Sequence, residues 1–189
     1  LTRKGLILLD RDGVLDRLVV DPDHGTIDSP LHPDQVEVYP WVPYALELLC
    51  KKGYGLAIVT NQPAAAKGKT TRESLEKVHA KVVAVAESKG AKILSSHICY
   101  HRAEDGCECR KPKTGLLEDA FNRNPGYPRK DSWIVGDGLT DIAAGKAAYV
   151  KTAFLAPKKI EFRKVFAENG VAEPDEGWES LKEFAEKRE

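Results

Sequence analysis

Neither charge is in excess along this chain of 189 residues: 29 Lys and Arg face 29 Asp and Glu. With no net field to draw in polyanions, nucleic acid and anionic membrane surfaces are poor partners, and a small molecule is the expected ligand. No apolar stretch approaches the roughly 20 residues of a membrane-spanning helix. No signal-type hydrophobic segment precedes the first apolar run either, so a cytoplasmic location is expected. Repeats, low-complexity runs and an evident linker are also missing. A single domain over residues 1–189, acting as a monomer, is the expectation that leaves. Cysteine is sparse, and its placement is not that of a disulfide framework: Cys99, Cys107 and Cys109 crowd around His101. Cys50 stands apart, on the apolar side of a predicted helix, as a buried inert thiol.

What is present is alternation. Strands are predicted over 5–9, 55–59, 96–100, 132–135 and 150–155, with helical spacing between them. Tyr44, Ala45, Leu48 and Leu49 share one helix face, with Pro43 suited to the first turn and Gly53 to the stop. Thr70-Thr71-Arg72-Glu73 has the form of a capping box ahead of Leu75, Val78, Val82 and Val85. Thr114 can cap a helix carrying Leu116, Leu117, Ala120 and Phe121, and 122–130 reads as a surface loop. This pattern predicts an α/β fold, a Rossmann-like doubly wound parallel sheet. Residues 16–40, long, Pro-rich and acidic, interrupt it and suggest a functional loop or small flap, as does 99–113. The charged tail, 158–189, is expected to be helical and to serve as packing or solvated surface.

Two apolar runs end in acids. Leu6-Ile7-Leu8-Leu9 leads into Asp10-Arg11-Asp12-Gly13-Val14, and Trp133-Ile134-Val135 into Gly136-Asp137-Gly138-Leu139-Thr140-Asp141. Ligands of a parallel sheet bind outside the carboxyl ends of its strands, so both sets point to one anionic cleft. Such a cleft calls for a hard divalent cation, and Mg2+ held by one or two carboxylates takes its other oxygens from phosphate and water. Asp10 and Asp12, two apart, project the same way from an extended segment, and Gly13 permits a sharp turn. One could attack phosphorus while the other handles protons; alone, the motif is also that of a solvated turn. Leu56-Ala57-Ile58-Val59 brings Thr60-Asn61-Gln62 to the same edge, where hydroxyl and amide could donate to phosphate or merely end a strand. Arg110 and Lys111 add cations ahead of the Thr114 helix, as phosphate ligands or as ordinary surface. Asp137 suits a metal ligand, and Asp141, one turn on, a supporting role or a helix N-terminal charge.

Cys99, His101, Cys107 and Cys109 offer three thiolates and an imidazole, a closed set of the kind structural Zn2+ favours. Reduced cysteines in a plain loop are the alternative. Because Cys109 abuts Arg110 and Lys111, zinc there would stiffen the loop that carries both cations.

In this order, Asp10-x-Asp12-Gly13, Thr60, Lys111 and Gly136-Asp137-x-x-x-Asp141 resemble the haloacid dehalogenase (HAD) superfamily of phosphatases over roughly 5–155. The resemblance implies Asp10 as nucleophile, Asp12 as general acid/base, and Thr60 and Lys111 as phosphate binders. It also implies Mg2+ held by Asp10, the main-chain oxygen of Asp12, and Asp137. The Cys-x-His and Cys-x-Cys pairs, Thr60-Asn61-Gln62, Cys109-Arg110-Lys111-Pro112 and the run from Asp141 through Ala144-Gly145 to Ala147 are similar to the branch of heptose bisphosphate and histidinol-phosphate phosphatases. That branch implies a minimal cap, with loops walling the site, and substrate contacts from Asn61 and Arg110. The implied substrate is D-glycero-D-manno-heptose 1,7-bisphosphate, losing its 7-phosphate, with histidinol phosphate or another small metabolite as the alternative. Departures fall in the loops: a short spacer between His101 and Cys107, Asp16 where Asn is common, and Pro63-Ala64 for Ser-Gly. They bear on sugar recognition and leave phosphate chemistry untouched. A phospho-accepting signalling module and a zinc-stabilised interaction protein are the readings from other classes. His24 and His32 could reach substrate from the long loop, His79 is expected at the surface or boundary, and His97 has no readable partner.

Overall fold

Leu6, Ile7, Leu8 and Leu9 are all withdrawn from solvent, which a strand achieves only where both faces of its sheet are covered. The computed structural model describes residues 3–21, 25–157 and 161–188. In chain order its elements are β1 (Leu6–Leu9), β2 (Val19–Asp21), β3 (Thr26–Asp28), α1 (Val42–Lys51), β4 (Gly55–Asn61), α2 (Arg72–Ala86) and β5 (Ile93–Cys99). There follow α3 (Gly115–Arg123), β6 (Trp133–Gly136), α4 (Leu139–Ala147), β7 (Lys151–Leu155), α5 (Phe162–Glu168), β8 (Glu176–Trp178) and α6 (Leu181–Lys187). The main sheet runs β5-β4-β1-β6-β7-β8 with every neighbouring pair parallel. From β1 the chain winds outward through β4 to β5, then returns to the other side of β1 as β6. The strand order therefore reverses at β1, where an open parallel sheet leaves its ligand crevice.

Alternation sends the strand side chains to two cores. Ile7, Leu9, Leu56, Ile58 and Val135 meet Val42, Ala45, Leu46 and Leu49 of α1, Val82 and Ala86 of α2, and Leu181 and Phe184 of α6. Leu6, Leu8, Ala57, Val59 and Ile134 meet Leu116, Leu117, Ala120 and Phe121 of α3 and Ala144 of α4. Truncating such a buried leucine to alanine costs about 2–5 kcal/mol. This packing holds the ends of β1, β4 and β6 in fixed register.

Local chemistry differs from expectation at two helix starts. Thr71 caps α2, accepting from Ser74 N at 3.1 Å, but Glu73 pairs with Lys77 at 2.7 Å and does not close a box. Thr114 makes no side-chain cap. The stretch 16–40 forms an antiparallel ribbon, β2 against β3, followed by a 3-10 turn over Pro33–Gln35 whose cap is His32. The end of this stretch is fastened to α2: Thr70 Oγ1 and Ser74 Oγ donate to Leu31 O at 3.0 and 2.7 Å. His24 lies outside the described residues. The tail is more than helix, because β8 adds a sixth parallel strand and α6 packs on α1, with Phe184 edge-on to Trp133.

Candidate active site

The end of β1 delivers Asp10 and the loop before α3 delivers Lys111. The Lys111 ammonium lies 3.0 Å from Asp10 Oδ1 and 2.5 Å from Asp141 Oδ1, and donates to Val59 O at 2.7 Å. The side chain is 1% exposed, and burial alone would lower its pKa; Asp10 and Asp141 hold it charged, above the usual lysine range. Asp10 Oδ1 also accepts from Arg11 N at 2.7 Å. Burial first, then the nearby charge of Asp141, raises Asp10 to about 7 against the relief that Lys111 provides. The same two causes raise Asp137 to about 6. Carboxylate oxygens of Asp10, Asp137 and Asp141 lie within 4.8 Å of one another. Three crowded acids facing one ammonium are short of positive charge, and this donor set fits a hard divalent cation.

Gly13 sets the width of this cluster. Its φ is +80°, and a Cβ there would lie 1.9 Å from Asp137 Oδ2, so any side chain would drive Asp137 out. Asp12, one residue earlier, is gripped from both sides: Oδ1 accepts from Arg11 Nε and Nη2 at 3.0 and 2.8 Å, and Oδ2 from Ser29 Oγ and Gln62 Nε2 at 2.7 and 2.5 Å. Gln62 also donates to buried Thr60 Oγ1 at 3.1 Å. Asn61 is turned to the loop, its amide bonded at 3.1 Å to both the N–H and the C=O of Lys111. Arg110, half-buried, donates to His101 O at 3.2 Å.

The four sulfur and nitrogen donors converge. Cys99, Cys107 and Cys109 Sγ atoms stand 3.1–3.7 Å apart, and His101 Nδ1 is 3.3 Å from Cys109 Sγ and 3.6 Å from Cys99 Sγ. A tetrahedron with bonds of about 2.3 Å has edges of about 3.8 Å, so the set fits Zn2+ with little adjustment. Burial and the crowding of Cys99 and Cys107 push Cys109 up to about 12. Cys107 falls to about 7: desolvation opposes this, and hydrogen bonds from the Arg110 backbone and the neighbouring thiols override it.

Thus Asp10, Asp12, Thr60, Lys111 and Asp137 are gathered at the carboxyl ends of β1, β4 and β6, with Asn61 and Arg110 against the zinc-type loop. Asp141, read from sequence as a supporting acid or a helix N-terminal charge, proves central through its contact with Lys111. Four participants were not foreseen. Gln62 was legible in principle, since it lies two residues from Thr60 at the end of an extended strand. Ser29 comes from the ribbon, and no local pattern marks it. Arg11 and Asp16 form a buried pair 4.0 Å apart behind the motif, with both Asp16 oxygens lacking hydrogen-bond partners. His97 is buried and bridges Asp119 at 2.6 Å and Ser95 at 2.8 Å; His32 pairs with Asp34 in solvent. Beside Gly13 and Asp137 a cavity of about 560 Å3 opens between the ribbon, Tyr39, Trp41 and the segment 155–157.

A parallel doubly wound sheet that sets a carboxylate cluster and a buried lysine at its switch point defines a HAD-like hydrolase. Residues 108–177 match the HAD-hydrolase-like family model. The chain is 32% identical over 176 residues, 90% of its length and 86% of the relative's, to D-glycero-beta-D-manno-heptose-1,7-bisphosphate 7-phosphatase of Neisseria meningitidis. It is 33% identical over 138 residues, 73% of its length but 37% of the relative's, to the histidine biosynthesis bifunctional protein HisB of Legionella pneumophila. Among solved structures, D,D-heptose 1,7-bisphosphate phosphatase of B. bronchiseptica, complexed with magnesium and phosphate, superposes with a TM-score of 0.80 at 28% identity over 97% of both chains. The chain belongs to the HAD-like phosphatase family that includes these heptose bisphosphate phosphatases.

Proposed function

We propose that this phosphatase removes the 7-phosphate of D-glycero-D-manno-heptose 1,7-bisphosphate through an aspartyl phosphate on Asp10. One observation carries the chemistry: Asp10 and Asp141 share the buried ammonium of Lys111 within a carboxylate cluster at the sheet's switch point. The likeness to heptose bisphosphate phosphatases over most of the chain supports the substrate.

A carboxylate oxygen of Asp10 attacks phosphorus in line. As that bond forms, the bond to the ester oxygen breaks and Asp12 gives the departing alkoxide its proton. Asp12 then takes a proton from water while the water oxygen bonds to phosphorus and the Asp10–phosphorus bond breaks, which frees inorganic phosphate and restores both acids. Lys111, kept charged by its two partners, and the Thr60 hydroxyl stabilise charge on the phosphoryl oxygens. Asp10, the main-chain oxygen of Asp12, and Asp137 would hold Mg2+, which when bound neutralises the carboxylates and the phosphoryl group. Cys99, His101, Cys107 and Cys109 would hold a structural Zn2+; Arg110 would meet the substrate from the loop they fix, and Asn61 serves the phosphate side through its hold on the Lys111 backbone. All of this lies within one domain spanning the chain.

Phosphate release in Mg2+ from heptose bisphosphate, histidinol phosphate and common hexose phosphates tests the substrate. Preference for the heptose bisphosphate by kcat/KM is expected. Preference for histidinol phosphate, which the likeness to the histidine biosynthesis protein favours, would move the assignment there. Asp10→Asn should abolish turnover of every ester, and undiminished turnover by that variant would overturn the nucleophile.

A further inference from the structure

We infer that Ser29 and Gln62 are positioning residues that hold the Asp12 carboxyl for its proton transfers, an inference that rests on the general acid/base role proposed for Asp12. The two ends of this carboxyl are not equivalent. Oδ1 is bound by both Nε and Nη2 of Arg11, a fully buried guanidinium that can only donate. Oδ2 faces Ser29 Oγ at 2.7 Å and Gln62 Nε2 at 2.5 Å, so the proton that goes to the leaving oxygen must ride there. When it does, Oδ2 has room for one donor fewer, and the Ser29 hydroxyl can turn its hydrogen aside so that the acid's proton is left aimed at the leaving oxygen, whereas the guanidinium cannot withdraw its own.

Gln62 has a different task. Its Nε2 bridges Asp12 Oδ2 and Thr60 Oγ1, and so fixes the proton carrier relative to a hydroxyl on the phosphate side. The residue is 1% exposed, and its Oε1 is buried without a hydrogen-bond partner, leaving an acceptor in the same enclosure. Ser29 is not a loose loop residue. Its N–H donates to Asp28 Oδ1 at 2.9 Å, Asp28 is ion-paired with Lys69, and Leu31 two residues on is held by Thr70 and Ser74. The ribbon thus delivers one hydroxyl to the acid of the reaction.

The test compares kcat/KM, which reports cleavage of the ester bond, for a sugar phosphate and for p-nitrophenyl phosphate, whose phenolate leaves without a proton. General acids contribute about 10²–10⁴-fold. Ser29→Ala and Gln62→Met should therefore lower the sugar-to-aryl ratio at least about 10-fold, and Ser29→Thr, which keeps the hydroxyl, should restore it. Equal losses on both esters, or none, would overturn the inference. Asp12→Asn is the reference: if it collapses the ratio while Ser29→Ala and Gln62→Met do not, the inference falls and the role of Asp12 stands. If Asp12→Asn leaves the ratio unchanged, the acid assignment falls and takes this inference with it.

Discussion

Asn61 and Lys111 clasp each other through one amide: Asn61 Nδ2 donates to the Lys111 carbonyl and Asn61 Oδ1 accepts from the Lys111 N–H, each at 3.1 Å. The clasp joins the end of β4 to the loop before α3 and fixes the backbone from which the buried ammonium reaches Asp10. Asn61→Ala strands two backbone groups, at about 1–3 kcal/mol for a buried unpartnered group. It also loosens Lys111 against the reacting carboxylate, where a shift of about 1 Å can cost about 10²-fold. A fall in kcat/KM of about 10–100-fold with a lowered unfolding midpoint is expected. Unchanged kinetics in a destabilised variant would mean that the remaining contacts of Lys111 suffice to aim it.

Magnesium binding should depend on pH. With Asp10 raised to about 7 and Asp137 to about 6 by burial and the nearby charge of Asp141, both are partly protonated near neutrality, and a cation must displace those protons. Apparent Mg2+ affinity should climb between about pH 6 and 7, with proton release visible as buffer-dependent heat in titration calorimetry. Stability of the metal-free protein runs the opposite way. An acid whose folded pKa lies above its ordinary value of 3.8 favours the fold below that value and loses this as pH rises through the folded pKa. The chelated protein should therefore melt lower at pH 8 than at pH 5, with a stabilisation by Mg2+ that grows over the same interval. A stabilisation independent of pH would contradict the raised values.

How much of this was legible follows from where burial is written. β1, β4 and β6 lie between two helix layers, so each reads as an unbroken apolar run, and the residues just after those runs are the site. Lys111 was legible through its neighbours in the motif, although its complete burial was not, because a lysine is normally surface. β8 escaped because Glu176-Gly177-Trp178 is short and partly polar, and pairs through its backbone at a sheet edge. The ribbon escaped for a related reason: Val20 and Ile27 face each other in register but are 64% and 66% exposed, so no core imposes a pattern on them. From the sequence Asp16 stands out only as an acid where Asn is common; its burial under Arg11 was not legible, since the turn that folds it there depends on the positive φ of Gly13.

Asp16 is a built-in liability at neutral pH. It is buried beside Arg11, whose charge Asp12 already neutralises, and neither of its oxygens is hydrogen-bonded. Burial and the charge of Asp12, only partly offset by Arg11, push it to about 8. Its cost to the fold is absent at low pH and grows from its ordinary value of 3.8 up to that point. Asp16→Asn keeps the shape and removes the ionisable group that the fold must hold protonated or bury charged, and should stabilise the protein by about 1–3 kcal/mol at pH 7–8. The gain should shrink toward pH 4 in denaturant titrations. Destabilisation at pH 8 would mean that Arg11 requires both carboxylates.

The cysteine loop should act on the reaction through Arg110 more than through Lys111. Arg110 depends on the loop, donating to His101 O at 3.2 Å, whereas Lys111 is also held by Asn61 and by Val59 O. Cys107 at about 7 and Cys109 at about 12 show one thiol ready to ionise and another resisting, a mismatch that a bound Zn2+ removes by favouring every thiolate. Cys107→Ser should lower the zinc measured in the purified protein below one per chain and speed hydrogen exchange over 101–113, with β1 and β6 still protected. It should raise KM for a bisphosphate by about 10-fold or more while lowering kcat less, since a forked cation is lost from the approach and the buried ammonium stays in place. A variant that loses its zinc yet keeps its KM would show that the loop holds Arg110 without the metal.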